Sequence, residues 1–253
     1  MFIDDYERFS PPEYFAEYYC DLSDENKFLL QFYHAAYSKI GNRCRMLEIG
    51  GGPTIYQLIS ASAHVRTIVF SEYLEVNRRE VQKWLRDDPE AFCWDEYFRF
   101  AAQLEGAKGV TTGIECTKAR LRSCISDVVH CDLHHENPLA PVRYDPFDIV
   151  SSSFCIEGIR NDEEAFRTYL RNAASQVKNG GHLILAIVRD CNRYRVGKYY
   201  FPSFPVNERS MLALLRENGF ASVETVTHNS PGQQGYSGII GITAVKEQQS
   251  RAI

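Results

Sequence analysis

The chain has 253 residues, 44% of them hydrophobic and 24% charged, with a net charge of −5. That composition supports a substantial core and describes an ordinary globular chain. The acidic balance argues against a nucleic-acid groove, which needs a clustered basic face, and the longest apolar run, 183–188, is too short to span a bilayer.

Eleven aromatic residues fall between Phe2 and Tyr37. Their spacing is helical; Tyr14 and Tyr18, four apart, share a face. The segment 1–40 reads first as a helix pair docked on a core; it can also serve as a lid, since a tyrosine offers an apolar body and a polar tip. Strands and helices then alternate. A strand is expected at 44–49, a helix at 55–62, a strand at 65–70 and a helix at 74–85. A further helical stretch runs from Pro89 to Leu104, broken by 106–113 and followed by a helix at 118–126. Strands are expected at 127–131 and 148–152. A helix over 162–178 is closed by Asn179, Gly180 and Gly181. A buried strand follows at 183–188, then a helix capped by Asn207 and ended by Gly219. Two β-type runs, 221–227 and 238–245, finish the chain. This order predicts an α/β, doubly wound, mainly parallel sheet in one domain, 1–253, with a helical cover and an antiparallel C-terminal edge.

The segment "MLEIGGGPTIYQL" at 46–58 places three glycines at the end of the first strand. Glycine lets backbone approach a ligand and adopt positive φ. A tight turn with no ligand is the bland alternative. Glu72 follows about 20 residues later, the spacing of a carboxylate that grips ribose hydroxyls. A dinucleotide fingerprint would need a third glycine at Ile55, and Pro53 removes an amide that a pyrophosphate would use. No GK[ST] follows, so this is not a P-loop. A nucleoside without phosphate fits better, and S-adenosylmethionine is the obvious one. Asp132, in "HCDL", could take the adenine amine or could serve its own turn.

The run His130, Cys131, Asp132, His134, His135 and Glu136 matches no standard zinc spacing, so no metal is expected. The eight cysteines, Cys20, Cys44, Cys93, Cys116, Cys124, Cys131, Cys155 and Cys191, form no CxxC. They read as reduced thiols, and the acidic "MFIDDYERF" lacks the marks of a secretory signal. A cytoplasmic location is expected.

The strings "PPEYFAEYY" (11–19), "GGGPTIYQL" (50–58), "KWLRDDPEAFCW" (83–94), "CDL" (131–133) and "FCIE" (154–157) resemble the small-amine N-methyltransferases, which act on nicotinamide, phenylethanolamine and indolethylamine or thioethers. The resemblance covers nearly the whole chain. It implies a class I methyltransferase fold: a seven-stranded sheet with one antiparallel strand and an N-terminal helical lid. It also implies S-adenosylmethionine as donor and S-adenosylhomocysteine as product. Cofactor positions would be Tyr14, Tyr19, Gly50, Gly51, Thr54, Tyr56, Glu72, Tyr73, Asn77, Asp132, Leu133 and Ser153. Glu72 stands where relatives often carry aspartate.

On the acceptor side, Glu157 matches an acid near the substrate amine, although from pattern alone it also reads as a helix-start glutamate. Tyr194 and Ser203 match pocket positions, joined by Tyr18 and Phe154. Where the nicotinamide enzyme carries an aspartate at the end of its fifth strand, this chain has Ile187, with Asp190 and Cys191 close behind. Glu157 is the expected charge partner or base for an alkylamine, with Asp190 in reserve; a pyridine would need no base. A pyridine, a guanidine-like amine, a S-adenosylmethionine-binding module and a dehydrogenase are the competing readings. The expected partner is a small-molecule amine, with no nucleic acid, no membrane and a monomeric state.

Overall fold

The computed structural model describes residues 6–41, 44–106, 110–230 and 235–248. Phe2 of the aromatic run lies outside them. Two helices come first, α1 (Pro11–Tyr18) and α2 (Asp24–Ser38). Ser10 and Ser23 cap them by accepting from the backbone N–H groups of Glu13 and Asn26, which satisfies donors that a helix start leaves open. The strands are β1 (Cys44–Ile49), β2 (Val65–Glu72), β3 (Ile125–His130), β4 (Phe147–Ser153), β5 (Val177–Arg189), β6 (Arg193–Val196), β7 (Tyr199–Pro202), β8 (Phe220–Asn229) and β9 (Gly238–Lys246). Between them lie α3 (Glu75–Leu85), α4 (Asp95–Leu104), α5 (Val110–Cys124), α6 (Glu163–Ser175) and α7 (Glu208–Glu217).

Seven strands form one sheet in the order β3-β2-β1-β4-β5-β9-β8. β9 runs antiparallel to both neighbours, and the β3-to-β5 pairings are parallel. This is the class I methyltransferase sheet that the sequence predicts. Alternation along each strand sends side chains to opposite faces. Met46, Ile68, Ile149 and Ile184 pack with α2 on one face, while Leu47, Val69, Val150 and Leu183 pack with α6 and α7 on the other. Strand order reverses between β1 and β4, and ligands of open α/β sheets bind at such a reversal.

Several expected elements differ. Residues 55–62 form two short 3₁₀ turns, Tyr56–Leu58 and Ala61–Ala63, rather than a helix. The buried Gln57 amide is spent on Glu48 Oε1, Gly51 O and Thr54 O, which ties the segment to the glycine turn. The helix expected from Pro89 starts at Asp95. Phe92 stacks on Phe15 at 4.4 Å and Trp94 meets the same ring edge-on, so contacts with α1 hold the segment off helical geometry. α5 begins by Val110 and contains Gly113, where a break was expected; packing against α4 overrides glycine's cost of about 1 kcal/mol. Ser126 falls in β3 instead of in the helix.

The Asn179–Gly180–Gly181 sequence is not a helix stop. It lies inside β5, where the pairing with β4 shifts register, and Gly180 has φ of +74°. A Cβ on Gly181 would sit 2.9 Å from Asp148 O, so the glycines make a β-bulge. The β6–β7 hairpin was not foreseen. Its turn holds Gly197 at φ +58°, and it rises beside α1.

Candidate active site

A cavity of about 1150 Å³ opens at the carboxyl ends of β1, β2, β4 and β5, under α1 and the β6–β7 hairpin. Every residue assigned to the cofactor or acceptor from the sequence lines it, except Asp190.

The glycine turn forms one wall. Gly50 and Gly52 both have φ of +61°. A Cβ on Gly50 would lie 2.0 Å from Cys155 Sγ, and one on Gly51 would lie 2.3 Å from the Phe70 ring. Part of the need for glycine is therefore close packing behind the turn, with the backbone left bare toward the cavity. The Thr54 hydroxyl donates to Gly51 O at 2.8 Å, so it builds the turn from inside. Behind it, burial raises the Glu48 carboxyl to about 7, with the Gln57 amide pulling the other way.

Glu72 ends β2. Its Oε2 accepts from Gly52 N–H at 3.1 Å, and its Oε1 from Leu74 N–H and Asn77 Nδ2 at 2.8 and 3.0 Å. Burial still leaves its pKa raised, with these bonds opposing the shift. Asn77 is 3% exposed, and its Oδ1 has no partner among the described residues. Tyr73 beside it is half exposed.

Asp132 serves its own turn by accepting from His134 N–H at 2.9 Å and from His134 Nδ1 at 2.7 Å. Burial pushes its pKa up, but the His134 backbone and ring bonds prevail and hold it below the ordinary value. Both ring nitrogens of His134 are engaged, the second by Tyr169. Among the described residues no group of three His, Cys, Asp or Glu side chains could hold a metal ion. The backbone carbonyl of Leu133 accepts from Asn172 Nδ2 at 2.8 Å. The Ser153 hydroxyl pairs with Tyr33 from α2. Tyr14 and Tyr19 bring their hydroxyls to 3.3 Å, and the Tyr19 and Tyr56 rings lie 5.1 Å apart. Burial pushes all three phenols up, so they stay protonated and can donate.

Glu157 lies on the opposite side of the glycine turn from Glu72, beyond β4. It is 2% exposed; its Oε1 accepts from Val188 N–H at 3.0 Å, and its Oε2 has no partner among the described residues. Burial raises its pKa to about 7, with the Val188 bond opposing. Tyr18, Phe154, Tyr194 and Ser203 line the same cavity. Phe154 has φ of +54°, and its N–H donates to Ala186 O, which turns the chain sharply from β4 into the cavity. Tyr194 and Tyr6 both stack on Phe201, at 5.5 and 5.1 Å, and the Tyr6 hydroxyl donates to Gly158 O.

Asp190 is not brought here. It follows β5 at φ +55°, accepts from Ser237 Oγ at 2.6 Å, and its N–H donates to Val206 O. Ile187 packs in the core on the α6–α7 side, and it is Val188 that faces the cavity. Sequence reasoning missed Tyr6, Cys155, Tyr169 and the hairpin residue Arg195. Cys155 was within reach, because it sits in the quoted "FCIE". Tyr169 had no signal beyond its place on α6.

The NNMT/PNMT/TEMT family matches residues 2–247. Indolethylamine N-methyltransferase of Oryctolagus cuniculus is 32% identical over 225 residues, 86% of this chain and 84% of that protein. Phenylethanolamine N-methyltransferase of Macaca mulatta is 31% identical over 255 residues, 94% and 87%. Human nicotinamide N-methyltransferase is 34% identical over 175 residues, 69% and 65%. Among solved structures, the N-methyltransferase NodS of Bradyrhizobium japonicum WM9 aligns with a TM-score of 0.54 at 15% identity, over 88% of this chain and 97% of that one. The 1,6-didemethyltoxoflavin-N1-methyltransferase of Burkholderia thailandensis aligns with a TM-score of 0.54 at 16% identity, over 94% and 91%. At those identities the two structures share the fold alone. With a family match over nearly its whole length, and relatives above 30% identity, the chain belongs to the NNMT/PNMT/TEMT family.

Proposed function

We infer that the protein is an S-adenosylmethionine-dependent N-methyltransferase that methylates the nitrogen of a small amine by in-line displacement. The observation that carries the acceptor side is Glu157. One oxygen is pinned by Val188 N–H, and the other is buried beside a cavity with no partner among the described residues. A buried carboxylate oxygen with no donor is costly unless a ligand supplies one.

S-adenosylmethionine supplies an electrophilic methyl group on a sulfonium sulfur. The residues fit that donor. Glu72, oriented by three N–H groups, would accept from the ribose hydroxyls, with Asn77 Oδ1 beside it. Asp132 would accept from the adenine amine, flanked by Leu133 and Tyr73. The phenols of Tyr14, Tyr19 and Tyr56 and the backbone of Gly50 and Gly51 would meet the charged methionine end. Thr54 acts through the turn, and Ser153 closes the wall between the two halves. Positioning a nucleophile behind an already activated methyl is most of the task.

An alkylamine arrives mostly protonated. Glu157 Oε2 would draw the cation in and take its proton, freeing the lone pair; a pKa of about 7 suits that exchange at neutral pH. Tyr18, Phe154, Tyr194 and Ser203 would shape the acceptor site, and the aromatic rings suit a cation. α1 and α2 would serve as a lid that excludes water. A pyridine such as nicotinamide is the second reading. It is less favoured because the end of β5 brings no carboxylate to the cavity: Ile187 is core and Asp190 turns to Ser237. A monomer working in the cytoplasm, where scattered thiols stay reduced, belongs to the same reading. No helix of the described residues is long and apolar enough to cross a membrane.

A panel of alkylamines, arylalkylamines, guanidines and pyridines, with S-adenosylhomocysteine release as readout, tests this. Turnover of an alkyl or arylalkyl amine is expected. Turnover confined to pyridines would overturn the role given to Glu157, and a chain that binds no methyl donor would overturn the whole reading.

A further inference from the structure

Tyr169 belongs to none of the sequence motifs, yet it lines the cavity beside Asp132 and His134. It is buried in the core between α6 and the sheet, so its hydroxyl projects from a fixed helix. That hydroxyl meets His134 Nε2 at 2.8 Å, with the two rings edge to face at 4.9 Å. Across the imidazole, Nδ1 meets Asp132 Oδ1 at 2.7 Å, and the His134 backbone N–H donates to the same oxygen. An ionised carboxylate can only accept, so Nδ1 carries the proton; in the neutral ring Nε2 then accepts from the Tyr169 hydroxyl.

The bonds run in one sense, from Tyr169 through His134 to Asp132 Oδ1. Among the described residues Oδ2 meets only His135 Nε2, at 3.5 Å. Asn172, three residues along α6 on the same face, holds the Leu133 carbonyl. One helix therefore grips this loop twice, by its backbone through Asn172 and by its side chains through Tyr169.

We propose that Tyr169 and His134 are positioning residues for nucleobase recognition, holding Asp132 so that Oδ2 faces the exocyclic amine of a 6-amino purine. The proposal rests on the S-adenosylmethionine reading above. An ionised carboxylate has no proton to donate, and one held by two donors on one oxygen cannot swing away from a mismatched base. A 6-oxo purine would put acceptor against acceptor, so rigidity itself becomes the source of selectivity.

Titration calorimetry with S-adenosylhomocysteine and with its inosine analogue tests the idea on the unmodified chain, on Tyr169→Phe, on His134→Ala and on the double variant. Tyr169→Phe keeps the ring and its packing, and His134 is half exposed, so neither change opens the core. Each single change is expected to weaken S-adenosylhomocysteine about tenfold, the worth of one good hydrogen bond. The inosine analogue should change less than twofold. In turnover the loss should fall on the donor KM and not on kcat at saturation. The double variant should bind no worse than His134→Ala, because the two act through one chain. Equal weakening of both nucleosides, no weakening, or additive losses would each overturn the proposal while leaving the enzyme reading intact. Failure of the unmodified chain to bind S-adenosylhomocysteine would remove both.

Discussion

Glu157 lies four residues past the end of β4 and Asp190 directly after the end of β5, and sequence alone ranks the two acids only weakly. What separates them is the first turn after each strand. Phe154 at positive φ swings the chain after β4 inward, and Glu157 follows into the cavity. Asp190, also at positive φ, is led outward by its N–H to Val206 O and its bond to Ser237. Because burial raises Glu157 to about 7, its ionised fraction grows as pH rises through that value. If the ionised form binds the ammonium and takes its proton, kcat/KM climbs over the same interval. Glu157→Gln should remove that acidic limb and lower kcat/KM by about 10²–10⁴-fold, the usual range for a lost acid–base group, with S-adenosylhomocysteine affinity held within about twofold. An unchanged pH–rate profile would leave Glu157 with no part in the reaction. Glu72 was legible for a different reason: its spacing from the glycines is fixed by the length of the single crossover from β1 to the end of β2.

At the scale of elements, strands were read well and the segments beside them less so. β1 appeared with its observed bounds because it is a short apolar run ending in a glycine turn. The residues 55–62 look helical by periodicity, but the buried Gln57 amide commits their backbone to the turn. The β6–β7 hairpin escaped notice because its strands are only four residues each, yet it forms part of the cavity wall. α1 is fastened to it. The Tyr18 hydroxyl donates to Arg195 O at 2.8 Å, Gly197 N–H donates to Glu17 Oε1 at 3.1 Å, and Arg195 approaches the same carboxylate at 3.5 Å. Cutting this fastening with Glu17→Ala should raise the acceptor KM by roughly three- to tenfold, while the melting temperature moves little because the pair is partly exposed. An acceptor KM that stays put would mean that the helix closes the site without the hairpin's help.

For the molecule as a whole, two fully buried carboxyls give stability an unusual pH dependence. Burial raises Glu48 and Glu157 from 4.5 to about 7. Between those values the unfolded chain has released these protons and the folded chain still holds them. Each group therefore lowers stability as pH rises from about 4.5 to about 7, after which its effect is constant. Glu48→Gln keeps an acceptor for Gln57 and removes the titration. Urea midpoints should coincide for the variant and the unmodified chain near pH 4, and at pH 8 the variant should be more stable by up to about 3 kcal/mol. Midpoints that run parallel from pH 4 to pH 8 would show that Glu48 is ionised in the fold.

The sequence by itself determined the sheet and the donor class and, through the family resemblance, part of the cavity's lining, because the motifs that carry these are local signals. Hydrophobic alternation sets strands, glycines set the turn after β1, and the length of the β1–β2 crossover sets the distance to Glu72. Tertiary structure decided what the acids and hydroxyls face. It sent Asp190 outward and left one oxygen of Glu157 without a partner among the described residues. It spent Thr54 on its own turn and set Tyr169 behind Asp132. Such outcomes depend on where a chain turns after its strand and on which distant groups arrive there, and no window of neighbouring residues contains that information.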